Sequence, residues 1–422
     1  MNDKVIIALP KRIYMMKPCP HSSIGVGQKK EEYNLYFSNF IYPLLSDYEV
    51  QVSCDYGRNY GEYWRIFEFP DGLEEFPITF TVFDGFGKKL SSKTCVVELY
   101  TDEQAMDDFY VLPIGDSMTQ SQKYLEHTML KLSGLHFEGS RSFNGIIRHE
   151  GRGGFKTEDY VYKYQDPHAP SPFVFPKDIS GKDYYGDKTF YDHMISEWET
   201  YYYVYGGYEH PELKEGMYYN RENTIYRSIN GNEMLYQKKP EWEFSFPKYM
   251  EKNAYNRVDA ISILLGTNDV LDIHYDTLDK GIARVIENLE IIVNSIREYS
   301  LTVPIILNLP ILAAADSYSF GRNYACAKTS KESRAVMLNF IAAVLEKWDC
   351  CDDKNIYLTP MNASIHPVMA FSKEAYSEGR YFSEPIVRVQ DSIHPNKSGY
   401  SQMGDMLAAT IQKVRVTVKG EI

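Results

Sequence analysis

The sequence predicts an α/β fold in which a small all-β domain precedes a three-layer α/β/α domain. Two observations predict this fold class. Before residue 105, short runs of β-branched and aromatic residues alternate with turn residues, whereas beyond residue 106 apolar strand-like runs alternate with amphipathic helical segments. The predicted domains are therefore residues 1–105 and residues 106–422, with an aromatic-rich insertion at about residues 164–250.

The first domain is predicted to be a β-sandwich. Its strand-like runs are rich in Val, Ile, Thr, Tyr and Phe, and turn pairs such as Asp71-Gly72 and Asp84-Gly85 separate them. The predicted strands cover residues 48–54, 63–69, 78–83 and 94–99.

The second domain is predicted to contain a parallel sheet that helices cover on both faces, because its strands and helices alternate. The predicted strands are residues 109–114, 258–265 and 303–307, and the predicted helices are residues 120–132, 278–299, 333–348 and 398–414. Ligands of such sheets bind beyond the carboxyl ends of the strands. Residues that directly follow these strands are therefore candidates for a functional site.

The composition excludes several classes of partner. The 422 residues carry a formal charge of -13, and no cluster of Lys and Arg suits a nucleic acid. No stretch reaches the ~20 apolar residues that a membrane helix needs. The first residues lack the features of a secretory signal, so a cytoplasmic location is expected, with export by another route as the alternative.

The six cysteines show no CxxC pair and no regular spacing, which predicts free thiols. Cys54 and Cys95 both lie in strand-like runs of the first domain. They are the pair that could form a disulfide between two sheets.

Four short blocks hold residues with catalytic chemistry. Each block alone is typical of a turn or a helix cap. Their order along one α/β domain, with two of them directly after predicted strands, favours a serine nucleophile, fixed hydrogen-bond donors, and a histidine base with its carboxylate. The blocks are Gly115-Asp116-Ser117, Gly151-Arg152-Gly153-Gly154, Gly266-Thr267-Asn268-Asp269 and Asp391-Ser392-Ile393-His394.

These blocks resemble the four motifs of the SGNH hydrolase superfamily, also called the GDSL esterases. The resemblance covers residues 109 to about 412 but neither the N-terminal region nor the insertion. Two positions depart from the usual pattern: Met118 stands where the family often has Leu, and His149 stands where it usually has Asn. The oxyanion glycine of the family corresponds to Gly154, with Gly151 as the less favoured candidate.

The resemblance implies a role for each motif residue. Ser117 is the expected nucleophile and His394 the expected base. The spacing Asp391-x-x-His394 allows the carboxylate to accept the imidazole Nδ1 hydrogen and to leave Nε2 for Ser117. The oxyanion hole is expected to consist of the backbone N–H groups of Ser117 and Gly154 with the Asn268 side chain.

This chemistry requires no metal and no organic cofactor. The carboxylates of Asp116 and Asp269 are expected to cap helices rather than to take part in the reaction.

The insertion suggests a substrate. It is rich in aromatic residues, whose rings stack well on sugars, and Trp198 and Tyr203 are predicted to contact substrate. The alternative is that these rings pack the insertion itself. Family members with a β-sandwich in front of the hydrolase domain are often carbohydrate esterases, so the resemblance implies a carbohydrate O-deacetylase.

Two other functional classes stay open. The same site could serve an acyltransferase, a thioesterase or a lipase. The chain could also be a binding or structural component of a surface assembly with a vestigial site. The complete set of motif residues, from Ser117 to His394, argues against a vestigial site.

Overall fold

The computed structural model describes most of the chain. The described residues are 5–18, 32–43, 46–102, 107–143, 145–163, 171–177, 202–203, 217–219, 225–229, 232–236, 242–324, 328–377, 379 and 384–420.

Short strands make up most of the N-terminal region, and strands and helices alternate beyond it. The strands are β1 (Ile6–Ile7), β2 (Arg12–Met16), β3 (Tyr33–Tyr36), β4 (Ile41–Tyr42), β5 (Glu49–Ser53), β6 (Arg58–Asn59), β7 (Tyr63–Ile66), β8 (Glu75–Phe83), β9 (Lys89–Tyr100), β10 (Phe109–Gly115), β11 (Leu135–Phe137), β12 (Glu150–Gly151), β13 (Val174–Pro176), β14 (Tyr202–Tyr203), β15 (Met217–Tyr219), β16 (Ile225–Ile229), β17 (Asn232–Tyr236), β18 (Trp242–Phe244), β19 (Ala260–Leu264), β20 (Ile305–Asn308), β21 (Ile356–Thr359), β22 (Lys373–Ser377) and β23 (Pro385–Val389). The helices are α1 (Ser117–Gln120), α2 (Lys123–Lys131), α3 (Thr157–Tyr162), α4 (Phe246–Asn253), α5 (Thr267–Leu271), α6 (Leu278–Tyr299), α7 (Ser317–Tyr324), α8 (Ser330–Trp348), α9 (Met361–Ser364) and α10 (Lys397–Gly420).

A parallel sheet forms the centre of the α/β region, and the predicted fold class is confirmed. Its strands are ordered β11-β10-β19-β20-β21, and β12 pairs with the end of β10. Every pairing in this sheet is parallel. All five residues of β19 are buried, as expected for a strand that is covered on both faces.

Smaller sheets make up the N-terminal region. One sheet has the order β2-β9-β8-β5 and another the order β3-β7-β6. Both are antiparallel except for the parallel pair of β2 and β9. Trp64 of β7 lies against Phe76 of β8, with ring centroids 6.2 Å apart, so side chains of the two sheets contact each other. Cys54 and Cys95 are free thiols and do not form a disulfide.

By its contacts the chain divides into two compact units. The first comprises residues 1–153, 258–283 and 304–422, and the second comprises residues 154–257 and 284–303. The first unit thus contains both the N-terminal sheets and the parallel sheet. The domain boundary at residues 105 and 106 stays a prediction.

A buried arginine links the N-terminal region to the α/β region within the first unit. Arg334 on α8 donates to the carbonyl oxygens of Ala313 and Ser38, at 2.5 and 3.0 Å, and to Asn39 Oδ1 at 2.9 Å. The Asn39 amide in turn donates to the Ile365 carbonyl at 2.6 Å. Burial lowers the pKa of Arg334 to about 10. The guanidinium therefore depends on oxygen atoms from both regions.

The second unit has an aromatic core around Phe173. Its ring lies within 4.5–5.9 Å of four other rings. They belong to Tyr160, Phe244, Phe246 and Tyr249. Phe244, part of the predicted aromatic insertion, thus packs inside the unit itself. Trp198 lies outside the described residues, as does the side chain of Tyr203, whose backbone belongs to β14.

No helix among the described residues is long and apolar enough to cross a membrane.

Candidate active site

Ser117 lies at the carboxyl end of β10, where α1 begins. Asp116 caps this helix, since its Oδ1 accepts the Met118 N–H at 2.9 Å. A Cβ atom at position 115 would lie 2.8 Å from the Leu264 carbonyl oxygen and still closer to Thr119. Glycine is therefore required here for the turn that places Ser117 beside the neighbouring strand.

Ser117, His394 and Asp391 form a chain of hydrogen bonds. Ser117 Oγ lies 2.9 Å from His394 Nε2, and His394 Nδ1 lies 2.9 Å from Asp391 Oδ2. Because a carboxylate can only accept, Nδ1 carries the proton and Nε2 is left as an acceptor for the serine hydroxyl. The structure thus brings together the three side chains that the first and last blocks predict.

The local electrostatics favour this protonation state. Burial alone would raise the pKa of Asp391, but hydrogen bonds from the His394 ring and from the backbone N–H groups of Ile393 and His394 hold it well below its usual range. The hydrogen bond to Asp391 raises the pKa of His394, against the opposing effect of burial. Asp391 is therefore ionised at neutral pH, and the imidazolium that forms on proton uptake is stabilised.

Asp116 lies completely buried beside the hydrogen-bonded Ser117, His394 and Asp391, and burial raises the pKa of Asp116 to about 6. Its observed contact is the cap of α1. This agrees with the predicted structural role of Asp116.

Most backbone N–H groups of the block Gly151-Arg152-Gly153-Gly154, called the glycine block, already donate a hydrogen bond within the protein. The N–H of Gly151 donates to His149 Nδ1 at 2.9 Å, and that of Arg152 donates to the Gly115 carbonyl at 2.8 Å. The N–H of Gly153 donates to Gln120 Oε1. Gly154 has a φ of +78°, and within the described part of the chain its N–H donates to no other group. Of these four glycine-block donors, the one left for a ligand is therefore that of Gly154.

Asn268 lies in the first turn of α5, directly after β19. Since β19 pairs with β10 in the register Leu264 to Gly115, Asn268 and Ser117 follow neighbouring strands at the same edge of the sheet. Gly266 makes this turn possible, because its φ is +116° and a Cβ atom there would lie 2.3 Å from the Phe340 ring. Lys328 Nζ donates to the Val270 carbonyl at 2.5 Å and holds the other end of α5.

Two residues of this region were not identified from the sequence. The Tyr324 hydroxyl donates to Asp391 Oδ1 at 2.9 Å, and burial together with the Asp391 charge raises the pKa of Tyr324, which keeps it a donor. Tyr324 precedes Asp391 by 67 positions, and no local pattern signals the contact. Gln120 accepts the N–H of Gly153 and is the last residue of the helix that begins at Ser117. Its position three residues after Ser117 is the feature of the sequence that could have identified it.

A parallel α/β sheet with a hydrogen-bonded serine, histidine and aspartate beyond its strand ends is the arrangement that serine hydrolases use. Residues 233–407 match the family model described as GDSL-like Lipase/Acylhydrolase. The matched residues include two of the four motifs, the blocks that hold Asn268 and His394.

Several solved structures also resemble the chain. An acetyl esterase mutant with an acetate ion has 13% identity and a TM-score of 0.36, and the match covers 74% of this chain and 99% of that one. A carbohydrate esterase of family 3 from Talaromyces cellulolyticus has 12% identity, a TM-score of 0.36 and the same coverage. A salicylyl-acyltransferase from a tetracycline biosynthetic pathway has 11% identity and a TM-score of 0.30, over 96% of this chain and 78% of that one. No curated protein sequence matches the chain.

Proposed function

We propose that the protein removes O-acyl groups, acetyl groups in particular, from carbohydrate by a serine-based mechanism. The observation that carries the proposal is the chain of hydrogen bonds from Ser117 through His394 to Asp391. In this proposal the three residues act as nucleophile, general base and orienting carboxylate.

The first step forms an acyl-enzyme. Ser117 Oγ attacks the acyl carbonyl carbon while its proton passes to His394 Nε2, which lies 2.9 Å away. The tetrahedral intermediate then collapses, its bond to the alcohol oxygen breaks, and the imidazolium gives its proton to the departing alcohol. Asp391 stabilises the imidazolium throughout and does not itself become protonated.

The second step restores the enzyme. A water molecule gives a proton to His394 Nε2 and attacks the acyl carbon. The second intermediate then collapses, its bond to Ser117 Oγ breaks, and the imidazolium returns its proton to Oγ as the carboxylic acid leaves. The Tyr324 hydroxyl and two backbone N–H groups all bond to Asp391 Oδ1, so Oδ2 is kept for the histidine in both steps.

The oxyanion would be bound by three donors. These are the backbone N–H groups of Ser117 and Gly154 and the side-chain amide of Asn268. Within the described part of the chain, neither of the two backbone groups donates to another acceptor. Preorganised donors of this kind stabilise the charge that develops in the transition state.

The first test of this hole is the replacement of Asn268 by alanine. Loss of one oxyanion donor typically costs about 3 to 4 kcal/mol of transition-state stabilisation, so kcat should fall about 10²- to 10³-fold with little change in KM. Steady-state kinetics on an acetyl ester measure both constants. Asn339→Ala, which removes a half-buried asparagine on α8, serves as the matched control and should keep its activity. An Asn268→Ala enzyme with unchanged kcat would remove Asn268 from the oxyanion hole.

Sugar substrates are supported by the composition of the insertion at residues 164–250. It is rich in Tyr, Asp, Glu and Lys and offers no extended aliphatic stretch of the kind that a lipid chain needs. The proposed contacts of Trp198 and Tyr203 with substrate stay predictions.

A substrate survey tests the proposed function. Purified protein should release acetate from acetylated oligosaccharides, and its activity on p-nitrophenyl esters should fall as the acyl chain lengthens. Activity that rises with chain length would instead indicate a lipase. Transfer of the acyl group to a sugar acceptor in preference to water would indicate an acyltransferase. Failure to cleave any ester would contradict the proposal.

A further inference from the structure

A polar pocket lies beside Ser117 and takes no part in the two acyl-transfer steps. Its volume is about 270 Å³, slightly below the ~300–1,000 Å³ of pockets for drug-sized ligands. It therefore has room for one ring-sized group. We call it the loop pocket, and its lining residues are Gln120, Ser140, Arg141, Ser142, Phe143 and His149.

The loop pocket shares a wall with the nucleophile. Gln120 ends the four-residue helix that Ser117 begins, and its Oε1 accepts the N–H of Gly153. A Cβ atom at Gly153 would lie 3.9 Å from the Cβ of Ser117. Gln120 and Gly153 therefore connect the nucleophile with the loop pocket.

The far wall of the pocket is a loop with an anchored base. Arg141 and His149 pair through two backbone hydrogen bonds of 3.2 and 2.9 Å and close the loop. The Arg141 guanidinium also donates to the Gly151 carbonyl at 2.8 Å, which ties the loop to β12. Phe143 stands on this loop with 72% of its surface exposed. A single exposed ring is common on protein surfaces, so a second observation is needed to indicate a ligand.

His149 supplies that second observation. The residue is 1% exposed, and its Nδ1 accepts the Gly151 N–H at 2.9 Å, which places the ring proton on Nε2. Burial lowers the pKa of His149 to about 4, so the ring is neutral at neutral pH. Among the described residues, Nε2 has no hydrogen-bond partner. A buried donor without a partner is rare and costly, and the residue that carries this donor lines the loop pocket.

From this geometry we infer that the loop pocket binds the alcohol part of the ester as a sugar ring, with Phe143 as its stacking surface and His149 Nε2 as a hydrogen-bond donor. This inference rests on the proposed esterase function. Five of the six lining side chains are polar, and they suit the hydroxyl groups of a sugar. An aliphatic chain in the same place would remove these polar groups from water without giving them partners.

The inference is tested by the replacement of Phe143 by alanine. The KM for an acetylated oligosaccharide should rise roughly two- to twelve-fold, the range that corresponds to a lost stacking contact, while kinetics on methyl acetate stay unchanged. Phe143→Tyr keeps a stacking ring and should restore the parent KM. Phe86→Ala is the matched control, because Phe86 is 98% exposed in the turn between β8 and β9.

A binding experiment separates this inference from the proposed function. In the Ser117→Ala protein, saturation-transfer NMR should detect the acetylated oligosaccharide, and the additional Phe143→Ala change should weaken that signal. Equal KM effects of Phe143→Ala and Phe86→Ala, or equal effects on both esters, would overturn the inference. A parent enzyme that cleaves methyl acetate but neither binds nor cleaves the oligosaccharide would overturn it while leaving an esterase. A parent protein that cleaves no ester would overturn the proposed function. The NMR experiment by itself would then test whether the loop pocket binds the sugar.

Discussion

Replacing Ser117 by alanine should reduce ester hydrolysis by roughly 10⁴-fold or more, because the variant has no nucleophile to form the acyl-enzyme. The fold should be unaffected, since the Ser117 hydroxyl makes its hydrogen bond to His394 at the half-buried site and not within the core. Acetate release measures the loss of activity, and thermal unfolding measures the stability of the variant.

Ser121 provides the matched control for this change. It lies four residues further along and donates to the Met118 carbonyl at 2.7 Å instead of contacting His394. Ser121→Ala should keep substantial activity. A Ser117→Ala protein that retains more than a trace of the parent turnover would show that another group is the nucleophile.

Changes at His394 and Asp391 should be nearly as severe. His394→Ala removes the base, and Asp391→Asn places an amide where a carboxylate fixes the tautomer of the imidazole, so kcat should fall about 10³- to 10⁴-fold in both variants. The parent kcat/KM should rise with pH, because the base acts in its neutral form, which predominates above its pKa. The midpoint of this rise should lie above 6.5, since Asp391 raises the pKa of His394. In Asp391→Asn the midpoint should move to lower pH.

The pair His127 and Asp405 is the control for these variants. His127 Nε2 lies 2.8 Å from Asp405 Oδ1, so the pair has the same chemistry but makes no contact with Ser117. His127→Ala should leave both kcat and the pH profile unchanged. Loss of activity on replacement of another histidine, such as His149, with full activity in His394→Ala, would contradict the assignment of the base.

Much of the α/β region could be predicted because its elements are long and strongly patterned. The predicted helix at residues 278–299 coincides with α6, and the predicted strand at residues 109–114 lies within β10. The predicted helix at residues 120–132 begins later, at Lys123. Gln122 has a φ of +63° and separates this helix from α1, a backbone conformation that side-chain periodicity does not reveal.

Short strands, and contacts between residues that are far apart in the sequence, could not be predicted. Strands such as β3 and β21 have four residues each, too few for an alternating pattern to stand out. In the site, the spacing of Asp391 and His394 within one turn predicted their contact, and the structure shows it. The contact of Tyr324 with Asp391 depends instead on how α7 packs, which no local pattern encodes.

The buried Arg334 determines what a fragment without the N-terminal region would lose. Its guanidinium is neutralised by no carboxylate in its described contacts, and it relies on the oxygen atoms of Ser38 and Asn39 in the N-terminal region and of Ala313 in the α/β region. A fragment that began after residue 105 would keep this buried cation but would lose the oxygen atoms of Ser38 and Asn39 around it. We expect this loss to lower the free energy of unfolding by several kcal/mol. The first hundred residues thus supply part of the oxygen shell of a cation that belongs to the α/β region.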